Sequence, residues 1–214
     1  MPKPPHLLIL DCDGVLVDSE PIAMRVETQL LATLGWSLSE SEIIERFLGQ
    51  SQESIIADIE RHTGIQRSQW ISERDRLQRE AFERELRPID GVIEALDRIQ
   101  LPMCVASNGS HVMIERSLRL CEMYERFAGR IFSASDVALG KPAPDLFLHA
   151  ARRMDVEPRD AVVVEDSPLG IQAARAAGIR SLGFAGGLVP AERLDGATRI
   201  FTWMHELPGV LAKV

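Results

Sequence analysis

The sequence predicts an α/β protein: a doubly wound parallel sheet with an all-α segment inserted into it. Three observations predict this. Unbroken runs of four apolar residues recur at 7–10, 103–106 and 161–164, as strands buried on both faces require. Helical patterns stand between and after the later runs, the alternation that builds βαβ units. Residues 20–87 hold no such run and show only helical spacing.

Taken in order, L-L-I-L at 7–10 is the first strand. Ile22, Val26, Leu30, Leu31 and Leu34 then share one helical face, closed by Gly35. Ser39 with Glu42 three residues later forms a capping box ahead of Ile43, Ile44 and Phe47. Ile55, Ile56 and Ile59 mark a third helix ending at Gly64, and a long charged helix runs from about Ser68 to Leu86. Val92, Ile93, Leu96 and Ile99 give the helix before the second strand, M-C-V-A at 103–106. Helices follow over Val112–Leu120 and Pro144–Met154, then the strand Ala161–Val164. A helix over Pro168–Ala177 stops at Gly178, as a C-terminal glycine should stop it. The expected organisation is an α/β core from residues 1–17 and 88–214, with a helical insertion at 18–87.

Composition bounds the function. With 214 residues and a hydrophobic fraction of 45% the chain can build a proper core. Its charge of 24 − 32 = −8 argues against sequence-independent nucleic-acid binding. No apolar run approaches the ~18 residues of a membrane span, and the first apolar run ends in acids, unlike a signal peptide. Three cysteines without C-x-x-C spacing suit a reducing cytosol, so a cytoplasmic chain is expected. Cys104 and Cys121 read as small buried hydrophobes. Cys12, between two acids, has a case for reactivity that nothing else supports. His6, His62, His111, His149 and His205 form no ligand spacing, and Trp36, Trp70 and Trp203 read as packing residues.

The chemistry-bearing residues gather at strand ends. The three strands run into D-C-D-G, S-N-G and E-D-S, and ligands of such sheets bind beyond the carboxyl ends of the strands. Asp11, Glu165 and Asp166 placed together repel unless a cation offsets them, and Mg²⁺ takes oxygen ligands of this kind. A lone D-x-D is a weak signal, because acids at strand ends often cap helices. Ser107, Asn108 and Gly109 add hydroxyl, amide and backbone N–H donors beside a helix start, which is anion-binding chemistry. Lys141 adds a cation in the rigid turn G-K-P. Only three of the 24 basic residues are lysines, and Lys141 is the only one away from the termini. Where the chain needs only positive charge it uses arginine, so a compact ammonium is expected to matter at residue 141.

Together these motifs resemble the haloacid dehalogenase superfamily of phosphohydrolases. D-C-D-G-V-L-V-D-S resembles its first motif, S-N-G its second, G-K-P-A-P-D-L-F its lysine motif and V-V-E-D-S-P-L-G-I-Q-A-A-R-A-A-G its acidic motif, in family order across residues 7–178. The resemblance implies a Rossmann-like core whose helical insertion is a cap domain. It implies that Asp11 is the nucleophile, forming an aspartyl-phosphate, and Asp13 the general acid/base, with its backbone carbonyl on Mg²⁺. Asp166 would ligate Mg²⁺, with Glu165 ligating directly or through water. Ser107, Asn108 and Lys141 would hold the phosphoryl oxygens, and Ser167 would cap the next helix. A small-molecule phosphate ester, no nucleic-acid or membrane partner, and a monomer are implied. The superfamily's true dehalogenases lack the second Asp and need no metal, so Asp13 favours a phosphate ester over a haloacid.

Four functions compete: a Mg²⁺-dependent phosphatase of a small phosphorylated sugar or sugar acid, a β-phosphoglucomutase-like isomerase, a receiver domain, and a catalytically dead phosphosugar-binding protein. The mutases carry a Lys before a Gly and an Arg after it in a cap loop, where this chain has Leu48 and Gln52, so a second phosphate would be poorly gripped. Receivers are shorter and have no helical insertion, and intact Asp11 and Asp13 argue against a dead site. Among the phosphatases, D-S-E at 18–20, L-P-M-C-V-A-S-N-G at 101–109 and R-F-x-G at 46–49 resemble the type that acts on 6-phosphogluconate. Arg25, Arg46 and Gln50 are the cap candidates for substrate contact, although a solvated helix face is the commoner place for either Arg.

Overall fold

The computed structural model describes residues 4–47, 50 and 52–214, without the side chains of Glu40, Ile44 and Gln52. Six strands form one sheet: β1 (Leu7–Leu10), β2 (Met103–Ser107), β3 (Ile131–Ser133), β4 (Ala161–Glu165), β5 (Arg180–Phe184) and β6 (Arg199–Phe201). Their order is β3-β2-β1-β4-β5-β6, and every neighbouring pair is parallel. The doubly wound sheet expected from the sequence is therefore present, with three strands beyond the three apolar runs. The order reverses direction between β1 and β4. That reversal opens a crevice at the carboxyl edge, where ligands of such sheets bind.

The sheet is buried because its central strands have apolar side chains on both faces. Leu7 to Leu10 and Val162 to Val164 are fully buried, each worth about 1.5–3 kcal/mol of apolar transfer. On one face Leu7, Ile9, Cys104, Ala106 and Val163 pack with Leu146, Phe147 and Ala150 of α8 (Asp145–Arg153) and Ala173 and Ala174 of α9 (Pro168–Ala176). The small residues of α9 let that helix lie close to the sheet. α5 (Val92–Asp97) precedes β2, α6 (His111–Leu120) and α7 (Tyr124–Phe127) separate β2 from β3, and α10 (Leu207–Leu211) follows β6.

Contacts divide the chain into two units, Met1–Asp18 with Arg87–Val214, and Ser19–Leu86. Among the described residues the second holds helices and no strand: α1 (Glu20–Thr33), α2 (Glu40–Phe47), α3 (Gln52–Thr63) and α4 (Arg67–Glu85). Its own core joins Leu30, Leu31, Ile43, Phe47, Ile56, Ile59 and Trp70. The capping box ahead of α2 forms: the Ser39 N–H donates to Glu42 Oε2 at 2.8 Å and the Glu42 N–H to Ser39 Oγ at 3.3 Å. Gly35, past the end of α1, has φ +81°, a conformation that favours glycine.

Candidate active site

The site grows from strand ends. Asp11 follows β1 directly, and its N–H still donates to the Val164 carbonyl of β4 at 3.0 Å, so its carboxyl is aimed from the sheet's switch point. Glu165 ends β4 and Asp166 follows it. One carboxylate oxygen from each of Asp11, Glu165 and Asp166 lies within 4.8 Å of the others, and all three residues are buried. Asp13 is exposed next to them. Between the two residues, Cys12 is wholly buried. Burial, then Asp13 and Asp11, push its thiol far above the usual range, so it is not a reactive thiolate.

Lys141 joins the carboxylates. Its Nζ donates to Asp11 Oδ1 and to Glu165 Oε1, both at 2.6 Å, with the ammonium 4.9 Å from the centre of the Phe147 ring. Only 4% of its side chain is exposed. Burial lowers the affinity of the ammonium for its proton, but Asp11 and Glu165 overcome that and hold it above the ordinary lysine value. Burial pushes Asp11 up to about 7, against Lys141, and Glu165 and Asp13 push it the same way. One ammonium therefore faces an excess of carboxylate. That hard, all-oxygen donor set fits a divalent cation such as Mg²⁺.

Neighbours fix these groups tightly. The Asn108 side chain clamps the Lys141 backbone, its Oδ1 accepting from the Lys141 N–H at 2.9 Å and its Nδ2 donating to the Lys141 carbonyl at 3.1 Å. Glu165 Oε2 accepts from the Ser167 N–H at 3.0 Å and from Ser167 Oγ at 2.8 Å. Ser167 also caps α9, accepting from the Gly170 N–H at 3.0 Å. Two glycines are required by proximity. A Cβ on Gly170 would fall 1.9 Å from Glu165 Oε1, and one on Gly14, at φ +74°, 2.0 Å from Asp166 Oδ2.

A family model described as haloacid dehalogenase-like hydrolase matches residues 5–178. The chain belongs to the haloacid dehalogenase-like hydrolases. It is 31% identical over 204 residues to the 6-phosphogluconate phosphatase of Escherichia coli (strain K12), covering 94% of this chain and 92% of that protein. A conserved haloacid dehalogenase-like protein of unknown function from Agrobacterium tumefaciens superposes with a TM-score of 0.88 at 40% identity, over 97% of this chain and 98% of that one. A family hydrolase from Deinococcus radiodurans, solved with bound phosphate and sodium, gives 0.82 at 30% identity, over 98% and 96%.

For a member of this hydrolase family, the structure brings together Asp11, Glu165, Asp166 and Lys141, with Asn108 on Lys141. Ser107, buried at the end of β2, accepts from the Gly109 N–H at 3.1 Å. The sequence reading missed the clamp by Asn108, whose amide it assigned to phosphate. It also gave no sign of Ser133, whose Oγ donates to the Gly109 carbonyl, or of Asp136, which accepts from the Ser133 N–H. In the helical unit Arg25 pairs with Glu85. Arg46 Nε donates to Asp58 Oδ2 at 2.6 Å, and its guanidinium lies 5.0 Å from the Trp36 ring centre. Gln50 Nε2 donates to the Arg46 carbonyl at 2.7 Å, and both residues line a depression of about 350 Å³ with Ser54, Asp58 and Arg61. Leu48 lies outside the described residues, as does the side chain of Gln52. No helix among the described residues is long and apolar enough to cross a membrane.

Proposed function

We propose that the protein is a Mg²⁺-dependent phosphatase that hydrolyses a small phosphorylated sugar or sugar acid, 6-phosphogluconate among the candidates, through an aspartyl-phosphate on Asp11. The observation that carries this reading is Lys141 Nζ held at 2.6 Å from both Asp11 and Glu165 at the carboxyl edge of β1 and β4. An ammonium so placed offsets charge on a buried nucleophile and on an incoming phosphoryl group, the main demand of phosphoryl transfer. On the same reading the protein acts as a cytosolic monomer on a small-molecule ester, and the helical unit is a cap.

An Asp11 carboxylate oxygen attacks phosphorus and the bond to the leaving oxygen breaks, while Asp13 gives its proton to the departing alkoxide. Water then attacks the phospho-enzyme as Asp13 takes its proton, releasing inorganic phosphate and restoring Asp11. Ser107 and Lys141 hold the phosphoryl oxygens, with the 107–109 loop alongside. Asp11, the Asp13 carbonyl and Asp166 would hold the metal. Glu165, whose two oxygens are already taken up by Lys141 and Ser167, would act through water. Bound Mg²⁺ supplies positive charge against the phosphoryl oxygens.

Phosphate release from a panel of phosphorylated metabolites, with Mg²⁺ and with chelator, tests this. Metal-dependent release that Asp11→Asn abolishes in a folded protein is expected. Equal rates with chelator would overturn the metal assignment, and an active Asp11→Asn protein the covalent route.

A further inference from the structure

Ser107 is the last residue of β2, paired with Ser133 of β3, but Asn108 and Gly109 follow it on a short loop, and loops do not hold atoms to a fraction of an ångström by themselves. The turn after β3 supplies what the loop lacks. Ser133, wholly buried at the end of that edge strand, donates from Oγ to the Gly109 carbonyl at 2.6 Å and accepts from the Ser135 N–H at 3.0 Å. Asp136 Oδ2 accepts from the Ser133 N–H at 2.9 Å. The same carboxylate lies 2.8 and 3.0 Å from His111 Nε2, and His111 opens α6 two residues after Gly109. The loop is thus pinned at its last residue and again where it becomes a helix.

The turn reaches the lysine segment as well. A Cβ on Gly140 would come within 3.0 Å of Ala134 Cβ and 2.6 Å of Asn108 Oδ1, so Ala134, Gly140 and Asn108 are in close contact. Asn108 in turn holds both backbone groups of Lys141. We propose that Ser133, Asp136 and His111 are positioning residues: a brace from β3 that sets the 107–109 loop, and through Asn108 sets Lys141, for phosphoryl transfer. None of the three needs to touch the phosphate. The inference rests on the phosphatase reading above, since it supposes that the loop and Lys141 face a phosphoryl group.

The test is a double-mutant cycle on the full chain, with p-nitrophenyl phosphate as substrate, inorganic phosphate as competing ligand and thermal unfolding as the control. Misplacement near 1 Å can cost ~10²-fold, so Ser133→Ala should lower kcat/KM by ~10-fold or more and weaken phosphate binding in parallel. His111→Ala, at a side chain 41% exposed, should do the same by a few-fold with little change in Tm. Ser133→Ala combined with Asn108→Ala should lose at least about fivefold less than the product of the single losses, because both act through one loop. If Ser133→Ala fails to fold, the cycle is read with His111→Ala, and the double variant with Asn108→Ala should then lose no more than about twofold beyond Asn108→Ala alone. Losses that multiply fully, or single variants within twofold of wild type in kcat/KM and phosphate affinity whatever their Tm, overturn the brace and leave the phosphatase reading standing. A wild type that neither turns over the ester nor binds phosphate overturns both.

Discussion

Replacing Lys141 by arginine should cost nearly as much activity as removing the charge. The ammonium is a single nitrogen with three donors. Two of them go to Asp11 Oδ1 and Glu165 Oε1, each at 2.6 Å, which leaves the third for a phosphoryl oxygen. A guanidinium prefers to pair both prongs of its fork with one carboxylate. It would take either Asp11 or Glu165, and a nucleophile gripped from two sides is off line. Nor is there room, because Lys141 is 8% exposed and its backbone is clamped by Asn108. Overpacking of this kind costs about 1–3 kcal/mol, or about 2–12 °C in Tm for a chain of this size. Lys141→Met keeps the stem but strands two buried carboxylates, and breaking such a pair costs about 3–5 kcal/mol, or about 6–20 °C. For turnover, kcat/KM on one substrate should fall ~10²-fold or more in both variants. Steady-state kinetics beside differential scanning calorimetry separates the two effects. An arginine variant within tenfold of wild type would mean that charge alone is needed at residue 141 and that the compact shape of lysine is not.

Gly14→Ala forces its Cβ onto Asp166, 2.0 Å from Oδ2, so it should weaken Mg²⁺ affinity by ~10-fold or more, the scale seen when the support of a metal ligand is disturbed; titrating activity against Mg²⁺ measures it, and an unchanged midpoint would show that Asp166 does not hold the ion. In the helical unit, the hydrogen bond from Arg46 lowers the Asp58 carboxyl below its ordinary 3.8, with His62 and Arg61 adding to it and burial opposing. A depressed carboxyl adds stability above its unfolded value and loses it as pH falls through the folded one, so circular dichroism should follow this contribution disappearing below about pH 4, and Asp58→Asn should be less stable at pH 7 and lack that acid step.

Much of the fold was legible, for a physical reason. β1, β2 and β4 are central strands buried on both faces, and that burial demands the unbroken apolar runs that mark them. β3 and β6 are three residues long and lie at the sheet edges. β5 interrupts its run with Ser181 and Gly183, the glycine at a tight spot where a Cβ would lie 3.3 Å from Leu194 and Ala197. None of the three offers a periodic signal, so the strand order, and with it the position of the switch point, could not be read. The site divides the same way. That Asp11, Glu165, Asp166 and Lys141 belong together was legible because acids directly after apolar runs, and one interior lysine in a chain that otherwise uses arginine, stand out by residue type. What holds them was not. Ser133 supports the loop with a hydroxyl on a backbone carbonyl, Asn108 clamps a backbone, and Gly14 and Gly170 act by having no side chain to displace Asp166 and Glu165. Each task depends on which atoms the fold brings together, and a serine or glycine does the same work in countless turns with no site nearby. Reading such residues therefore needs distances, and those exist only once β3 and the G-K-P turn are placed beside the β2 loop.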